Sequence, residues 1–186
     1  MLEKIPAAVG HALSGLKAGL EKAVFHAEFA DVPATIALTS SGFADGAALP
    51  GRFTADGAGT SPPLAWSNLP AGTAAVAILA EDADSPTPHP LVHLIAWNLA
   101  PAMSDLAEGA LTADAPVDLG KNSFFKDGWL PPDPPTGHGT HRYLFQVYAL
   151  DHRLDLSPSP GRGALLDAMR GHVLAKGGLT GTYERR

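Results

Sequence analysis

Three separated segments hold most of the residues that could do chemistry. Asp82 and Asp84 follow a short apolar run, and His93 lies inside a second one. His141 and Tyr143 begin a third. Carboxylates and imidazoles together can orient one another, transfer protons or bind a metal ion. Each feature alone has a plainer explanation, because Asp is common in turns. These residues can form one functional site only if the three segments meet in one cavity.

The segment just before His141, PPDPPTGHGT, is rich in proline and glycine. Proline fixes φ and donates no backbone hydrogen bond, so the segment predicts a stiff loop. Gly137 and Gly139 allow the positive φ that a sharp bend needs. The next residues, YLFQVYAL, are typical of a strand. Two interpretations stay open here: a loop that delivers His138 and His141 to a site, or a proline corner with surface histidines.

The middle of the chain predicts a mainly β fold. ATIALTS, AAVAILAED, LVHLIAWNL and YLFQVYALD each have the composition of a strand, and long irregular crossings join them. This pattern favours two antiparallel sheets in a sandwich with Greek-key connections. Side chains two apart on a strand share a face, so Asp82 and Asp84 are expected to point together.

Helices are predicted at both ends of the chain. An N-terminal amphipathic helix over residues 5–25 follows from a stripe formed by Ile5, Val9, Leu13, Leu16, Leu20 and Val24. Its mixed charges favour docking on its own fold or on a partner subunit over a membrane surface. We expect an N-terminal helical extension over residues 1–30 and one β-sandwich domain over residues 31–186. A C-terminal helix between Pro160 and Gly177 is predicted from an apolar face formed by Leu165, Leu166, Met169, Val173 and Leu174.

Composition narrows the classes of function. The formal net charge of −6 and the lack of a basic cluster argue against nucleic-acid binding. With no cysteine, the chain has no disulfide, thiolate nucleophile or Cys-ligated zinc. The longest strongly apolar run, residues 74–80, is too short to span a bilayer. The N-terminus lacks the pattern of a signal peptide, so we expect a cytoplasmic protein, with the periplasm left open.

Several motifs in a fixed order resemble one family. Asp82–Pro86 matches a D-x-D-x-P box, and His93 stands five residues before Asn98. Pro134–Tyr143 matches a P-P-x-G-x-G-x-H-R-Y box. With SPPLAW, GKNSF and the ending GHVLAKGGLTGTY, the chain from about residue 35 to 184 resembles the phosphatidylethanolamine-binding protein family. That family includes the Raf kinase inhibitor proteins, and the resemblance is greatest to its bacterial YbhB/YbcL-like branch.

The resemblance implies a non-enzymatic binding protein without a cofactor. A small surface pocket would bind an anion or zwitterionic headgroup such as phosphate or phosphorylethanolamine. The residues carried over to it are Asp82, Asp84, Pro86, His93, Pro134, Pro135, Gly137, His141 and Tyr143. A cis peptide at Ser85–Pro86, a homodimer and a kinase or protease partner would also fit the resemblance.

Two departures from the family pattern bear on the pocket. Leu91, Val92 and Leu94 flank His93 where the bacterial branch has aromatic residues. Asp133 adds a negative charge near the expected mouth. Because acidic groups repel phosphate, donors such as protonated histidines must outnumber the bare acceptors. We therefore expect a zwitterion to bind better than a bare anion, and binding to weaken as pH rises from about 5.5 to 8.

Two other classes of function stay open at this point. A metal-dependent hydrolase would use Asp82, Asp84, His89, His93, His138 and His141. Against it, no HExxH motif is present, and His89 and His93 would lie about 13 Å apart on a strand. The other class is a pure protein-interaction module.

Arg142 is expected to pair with a carboxylate and brace the loop. Four other histidines are expected to be surface or capping residues: His11, His26, His152 and His172.

Overall fold

The computed structural model describes residues 6–112, 115 and 117–185, which form two antiparallel β-sheets. Ile5, assigned above to the N-terminal stripe, lies outside these residues. The smaller sheet has the order β1-β2-β5, with β1 at Ala37–Thr39, β2 at Leu64–Ser67 and β5 at Asp105–Leu106. The larger has the order β6-β4-β3-β7-β8, with β3 at Ala75–Asp82, β4 at Leu91–Leu99, β6 at Asp118–Gly120, β7 at His141–Leu150 and β8 at Val173–Tyr183. The predicted mainly β fold is confirmed.

Strand β3 is buried along its whole length. Val76 and Ile78 point into the core between the two sheets, whereas Ala77 and Leu79 point into a second cluster on the outer face of the larger sheet. A strand covered on both faces needs apolar residues at every position, which explains the uninterrupted run AVAILA. Its C-terminal end, Asp82, is where the polar residues begin.

Two short helices and the N-terminal segment cover the outer face of the larger sheet. Helix α2 (Val24–Ala27) contributes Val24, and α3 (Arg162–Met169) contributes Leu165 and Met169. The fully buried carboxylate of Glu81 accepts hydrogen bonds from the Val24 N–H at 2.8 Å and from Arg162 Nε at 3.0 Å. The N-terminal segment is therefore held on the sheet by polar as well as apolar contacts.

The prediction of one N-terminal helix over residues 5–25 is wrong. Helix α1 spans only Ala7–Leu13, and a 3₁₀ turn follows at Leu20–Lys22. Between them the backbone leaves the helix, with φ of 103° at Gly19. There the Ala18 and Gly19 N–H groups donate to the carbonyls of Ser85 and Ala83 at 2.9 and 2.8 Å. These hydrogen bonds to the turn after β3 replace helical ones, which periodicity alone does not reveal.

Within the described ranges, no helix has the length and hydrophobicity needed to cross a bilayer.

The C-terminal helix is shorter than predicted. It ends at Met169, and Gly171 turns the chain with φ of 81°. Val173 and Leu174, assigned above to the helical face, lie in β8 instead. Pairing with β7 along the whole strand outweighs the helical spacing of their side chains.

Helix α1 packs closely against the proline-rich loop. A Cβ added to Gly10 would lie 1.9 Å from the Thr136 carbonyl oxygen. Gly137, one of the predicted pocket residues, faces this same helix: its added Cβ would lie 2.9 Å from His11 Nε2. Both glycines therefore serve close approach of two backbones, and helix α1 supports the loop from behind.

This contact predicts the effect of a single methyl group. Gly10→Ala should lower the free energy of unfolding by about 1–3 kcal/mol, because helix α1 must move away from Thr136. Urea denaturation monitored by circular dichroism measures the change. Gly15→Ala is the matched control, since nothing lies within 4 Å of its added Cβ. Equal effects of the two substitutions would contradict the close approach.

Candidate functional site

A cavity of about 350 Å³, counting its open mouth, lies where β3, β4 and β7 meet the proline-rich loop. Its wall combines acidic, imidazole and proline side chains with a few apolar ones. The lining residues are Asp82, Ser85, Pro86, Leu91, His93, Phe124, Leu130, Pro131, Asp133, Pro134, Pro135 and His141. Six predicted site residues are among them: Asp82, Pro86, His93, Pro134, Pro135 and His141. The other three predicted site residues are not among the described residues that line the cavity: Asp84, Gly137 and Tyr143.

The two aspartates after β3 point in different directions. Asp82 Oδ1 accepts a hydrogen bond from the Asp84 N–H at 2.9 Å, which turns the chain as the strand ends. Strand alternation therefore stops before Asp84, and the expectation that both carboxylates face the pocket is wrong. Asp84 is fully buried and accepts from Arg142 Nε at 2.7 Å and Nη2 at 2.8 Å. Arg142 thus pairs with a carboxylate, as expected.

Paired donors keep the Asp84 carboxylate ionised. Burial by itself would raise its pKa, but the hydrogen bonds from Arg142 and Lys17 outweigh burial and lower the pKa to about 2. Lys17 Nζ lies 3.2 Å from Asp84 Oδ1. Asp84 is thus a structural anchor that ties the N-terminal segment and β7 to the turn after β3.

A chain of hydrogen bonds runs from the pocket wall to the N-terminal segment. Asp82 Oδ2 lies 2.8 Å from His141 Nδ1, and His141 Nε2 lies 2.7 Å from His138 Nδ1. His138 Nε2 lies 3.1 Å from the Leu16 carbonyl oxygen. All three residues are at most 4% exposed. The sequence offered no signal that Leu16 would complete this chain.

Counting hydrogens shows how many protons this series of hydrogen bonds needs. The Leu16 carbonyl only accepts, so His138 Nε2 carries a hydrogen. A neutral His138 then accepts at Nδ1, and His141 Nε2–H donates to it. A hydrogen is also needed between His141 Nδ1 and Asp82. Three hydrogen bonds therefore need one proton more than two neutral imidazoles carry, and this proton lies between His141 and Asp82, which leaves that pair with no net charge.

A β-bulge directs His93 into the cavity. Ala80 pairs with Leu94 and Glu81 pairs with Val92, which leaves His93 as the extra residue of β4. Val92 packs in the outer cluster while Leu94 packs between the sheets. The bulge therefore places His93 beside Tyr143 and Trp129, with ring centroids 5.1 and 6.0 Å away. These two residues supply the aromatic surroundings that the neighbours of His93 in sequence lack.

His93 is a neutral acceptor towards the cavity. Its Nδ1 lies 2.6 Å from the Leu130 carbonyl oxygen, which only accepts, so Nδ1 carries the hydrogen. Burial lowers the pKa of His93, although the nearby Asp82 opposes this change. Nε2 and the Tyr143 hydroxyl are buried, and neither has a hydrogen-bond partner in the described part of the chain. Buried polar atoms of this kind are rare in proteins and point to a missing ligand or water.

Arg185 binds the extra acidic residue at the mouth of the pocket and a second carboxylate as well. Its Nη1 lies 2.6 Å from Asp133 Oδ1 and donates to the Pro134 carbonyl at 2.9 Å. Its Nη2 lies 2.7 Å from Asp56 Oδ1. Hydrogen bonds to these carboxylates raise the pKa of Arg185 against the opposing effect of burial. Sequence analysis missed this residue, because nothing in the chain relates residue 185 to residue 133.

The peptide bond at Ser85–Pro86 is trans, in contrast to the cis form that the resemblance implied. Pro86 still lines the cavity in this conformation. The Ser85 hydroxyl donates to the Asp82 carbonyl at 3.2 Å within the same turn.

The geometry does not favour the metal-dependent hydrolase. Both ring nitrogens of His141 are used, by Asp82 and by His138, and His93 Nδ1 is used by Leu130. Among the described residues, the predicted ligands do not form a group whose donor atoms converge within 4.8 Å. The group that does converge consists of Asp151, His152 and His172, two of which were expected to be simple surface histidines.

Fold and cavity together define a class of β-sandwich proteins with a small polar pocket at one end of the larger sheet. The chain belongs to the phosphatidylethanolamine-binding protein family, whose model matches residues 39–184. It is 39% identical over 152 residues to a UPF0098 protein of Chlamydia muridarum, covering 80% of this chain and 98% of that protein. A UPF0098 protein of Pyrococcus horikoshii is 38% identical, with 79% and 76% covered. These relationships support a binding protein.

Solved structures agree with this assignment. A phosphatidylethanolamine-binding protein homologue of Chlamydia trachomatis matches with a TM-score of 0.76 and 36% identity over 82% of this chain and 99% of its own. YbcL of E. coli, described as a member of the mammalian family, also has a TM-score of 0.76, with 29% identity and coverage of 82% and 100%. The matched family region begins after the N-terminal segment that carries Leu16 and Lys17.

Arg142 offers a test of the structural role of Asp84. Arg142→Ala should lower the free energy of unfolding by about 1.5–3 kcal/mol, because it removes hydrogen bonds to a buried charge. The folded-state pKa of Asp84, about 2, lies below its ordinary value of 3.8. Its stabilising effect is therefore present above about pH 4 and is lost as pH falls towards 2. The acid-unfolding midpoint of the variant should move to higher pH.

An exposed ion pair provides the control for this substitution. Arg52 Nε lies 3.0 Å from Glu108 Oε1, with both side chains at least 40% exposed. Arg52→Ala should cost less than about 1 kcal/mol. If Arg142→Ala costs no more than Arg52→Ala, Asp84 is not the anchor described here.

Proposed function

We propose that the protein is a non-enzymatic binding protein whose pocket takes a phosphomonoester or zwitterionic headgroup, such as phosphate or phosphorylethanolamine. The observation that carries the proposal is the unpartnered Nε2 of His93 at the cavity wall. A buried imidazole nitrogen without a partner is free to bind a ligand group in place of water, and its protonation state decides which kind of group binds.

Pairing of the acidic wall residues supports an anionic ligand. Asp82 is paired with His141, and Asp133 is paired with Arg185. Two bare carboxylates would repel a phosphoryl group, whereas carboxylates that already bind His141 and Arg185 repel it less. Arg185 is shared with Asp56, so the cavity keeps an acidic character and a phosphoryl group enters most readily together with a proton.

Protonation of His93 would convert the cavity from acceptor to donor. In the neutral state Nε2 presents a lone pair to the cavity. Once protonated, Nε2–H donates to a phosphoryl oxygen, while Nδ1–H keeps its bond to Leu130. Tyr143 lies behind the cavity lining with its ring beside that of His93, and its hydroxyl is a second buried donor without a partner in the described residues. Burial raises the pKa of Tyr143 well above its ordinary value, so it keeps its hydrogen at neutral pH.

The acidic groups also account for a zwitterionic preference. Carboxylate oxygens of Asp82 and Asp133 lie at the wall of the same cavity. They accept hydrogen bonds from an ammonium group while the phosphoryl group meets His93. The Asp82–His141–His138 chain orients this wall and needs no ligand for its own hydrogen bonds.

Calorimetry across pH tests the proposal. Phosphorylethanolamine should bind more weakly as pH rises from about 5.5 to 8, by up to tenfold per pH unit, because binding takes up a proton at His93. The sign follows from the lowered pKa of His93: the free pocket is neutral and the bound pocket is protonated. Inorganic phosphate and ethanolamine alone should each bind more weakly than phosphorylethanolamine.

His93→Gln should weaken binding at pH 6 by at least about tenfold, since glutamine donates a hydrogen bond but carries no charge. The substitution should also reduce the pH dependence of the affinity, leaving only the part that comes from protonation of the phosphoryl group itself. His89→Gln changes an exposed histidine in the adjoining turn and should leave affinity unchanged. An affinity that is constant over this pH range, or that survives His93→Gln, would rule out the proposed binding mode.

A further inference from the structure

We propose that Asp151, His152 and His172 form a binding site for a divalent transition-metal ion such as Zn²⁺. Asp151 and His152 directly follow β7, and His172 directly precedes β8. This end of the sheet is opposite to the pocket, because β7 runs from His141 at the pocket to Leu150, a span of roughly 30 Å at 3.3 Å per residue. The inference is therefore independent of the function proposed for the pocket.

Three donor atoms converge at this end of the sheet. His152 Nδ1 lies 2.8 Å and His172 Nδ1 lies 3.0 Å from the same oxygen, Asp151 Oδ1. The two rings are packed edge to face with centroids 4.0 Å apart. Zn²⁺ binds nitrogen and oxygen ligands at about 2.0–2.2 Å, so two ligands 90–109° apart are separated by roughly 2.9–3.4 Å. The observed distances of 2.8 and 3.0 Å between Asp151 Oδ1 and the two Nδ1 atoms are already close to this separation.

The backbone holds the donors in place. The Asp151 N–H donates to the His172 carbonyl at 3.1 Å, and the His172 N–H donates to the Met169 carbonyl at 3.0 Å. Leu150, next to Asp151, is fully buried and pairs with Val173 of β8. A site built on the ends of two paired strands needs little rearrangement to bind an ion, which lowers the entropic cost.

The donor set selects the kind of ion. Two imidazoles and one carboxylate suit Zn²⁺, Ni²⁺ or Cu²⁺, whereas Mg²⁺ and Ca²⁺ prefer sites made of oxygen ligands. An exposed aspartate is ionised at neutral pH, so Asp151 offers the ion a carboxylate. Each side chain is 43–45% exposed, which leaves room for water at the remaining coordination positions.

Electrostatic repulsion explains why one metal ion suits this cluster better than protonation of both histidines. Protonating both histidines would place two like charges in rings whose centroids are 4.0 Å apart. One divalent ion provides the same positive charge at a single point and is bound by all three donors. When the ion takes the place between the Nδ1 atoms and Asp151, each neutral imidazole carries its hydrogen on Nε2 instead.

Titration with metal ions tests the site on the intact chain. Zn²⁺ should bind with a stoichiometry of one per chain and raise the thermal midpoint, and Mg²⁺ should do neither at the same concentration. His152→Ala, His172→Ala and Asp151→Asn should each weaken Zn²⁺ binding at least tenfold. These side chains are exposed, so circular dichroism of the variants should match that of the parent protein.

Two controls make the result specific. His89→Ala removes another exposed histidine and should leave Zn²⁺ affinity unchanged, as should His93→Gln in the pocket. The absorption spectrum of bound Co²⁺ should change on His172→Ala, since one nitrogen ligand is lost. No Zn²⁺ binding at millimolar concentration, or one-site binding that survives both His152→Ala and His172→Ala, would overturn the assignment.

Discussion

The hydrogen bond between Asp82 and His141 is the interaction on which the pocket depends. Asp82 ends the central strand of the larger sheet and is only 4% exposed. A carboxylate buried to this degree is costly unless it is paired and hydrogen-bonded. His141 shares a hydrogen with one carboxylate oxygen, and the Asp84 N–H donates to the other. With Asp82 satisfied inside the protein, His93 alone of the two pocket histidines keeps a nitrogen for another molecule.

The pocket also depends on a part of the chain outside the matched family region. His138 supports His141, and the Leu16 carbonyl supports His138. Lys17 lies beside Asp84, and the backbone of residues 18–19 is hydrogen-bonded to the turn after β3. A pocket whose wall comes from the family's motifs is thus braced from behind by residues that those motifs do not include.

Sequence reasoning succeeded where local rules apply without interruption and failed where one residue breaks them. Apolar runs identified the buried strands, and the motif boxes supplied six of the residues that line the cavity. Alternation would place His93 on the same face as Ile95, but the bulge reverses it. It would likewise place Asp84 beside Asp82, but the turn intervenes. Partners such as Arg185 are distant in sequence and follow from the tertiary fold alone.

Burial of β3 on both faces affects how the molecule opens. Its backbone is paired with β4 on one side and β7 on the other, and core clusters cover both of its surfaces. Its amide hydrogens can therefore exchange with solvent only when most of the domain unfolds. Asp82 ends this strand, so its carboxylate keeps its position unless most of the domain unfolds. A ligand would meet a fixed carboxylate rather than one that must first be ordered.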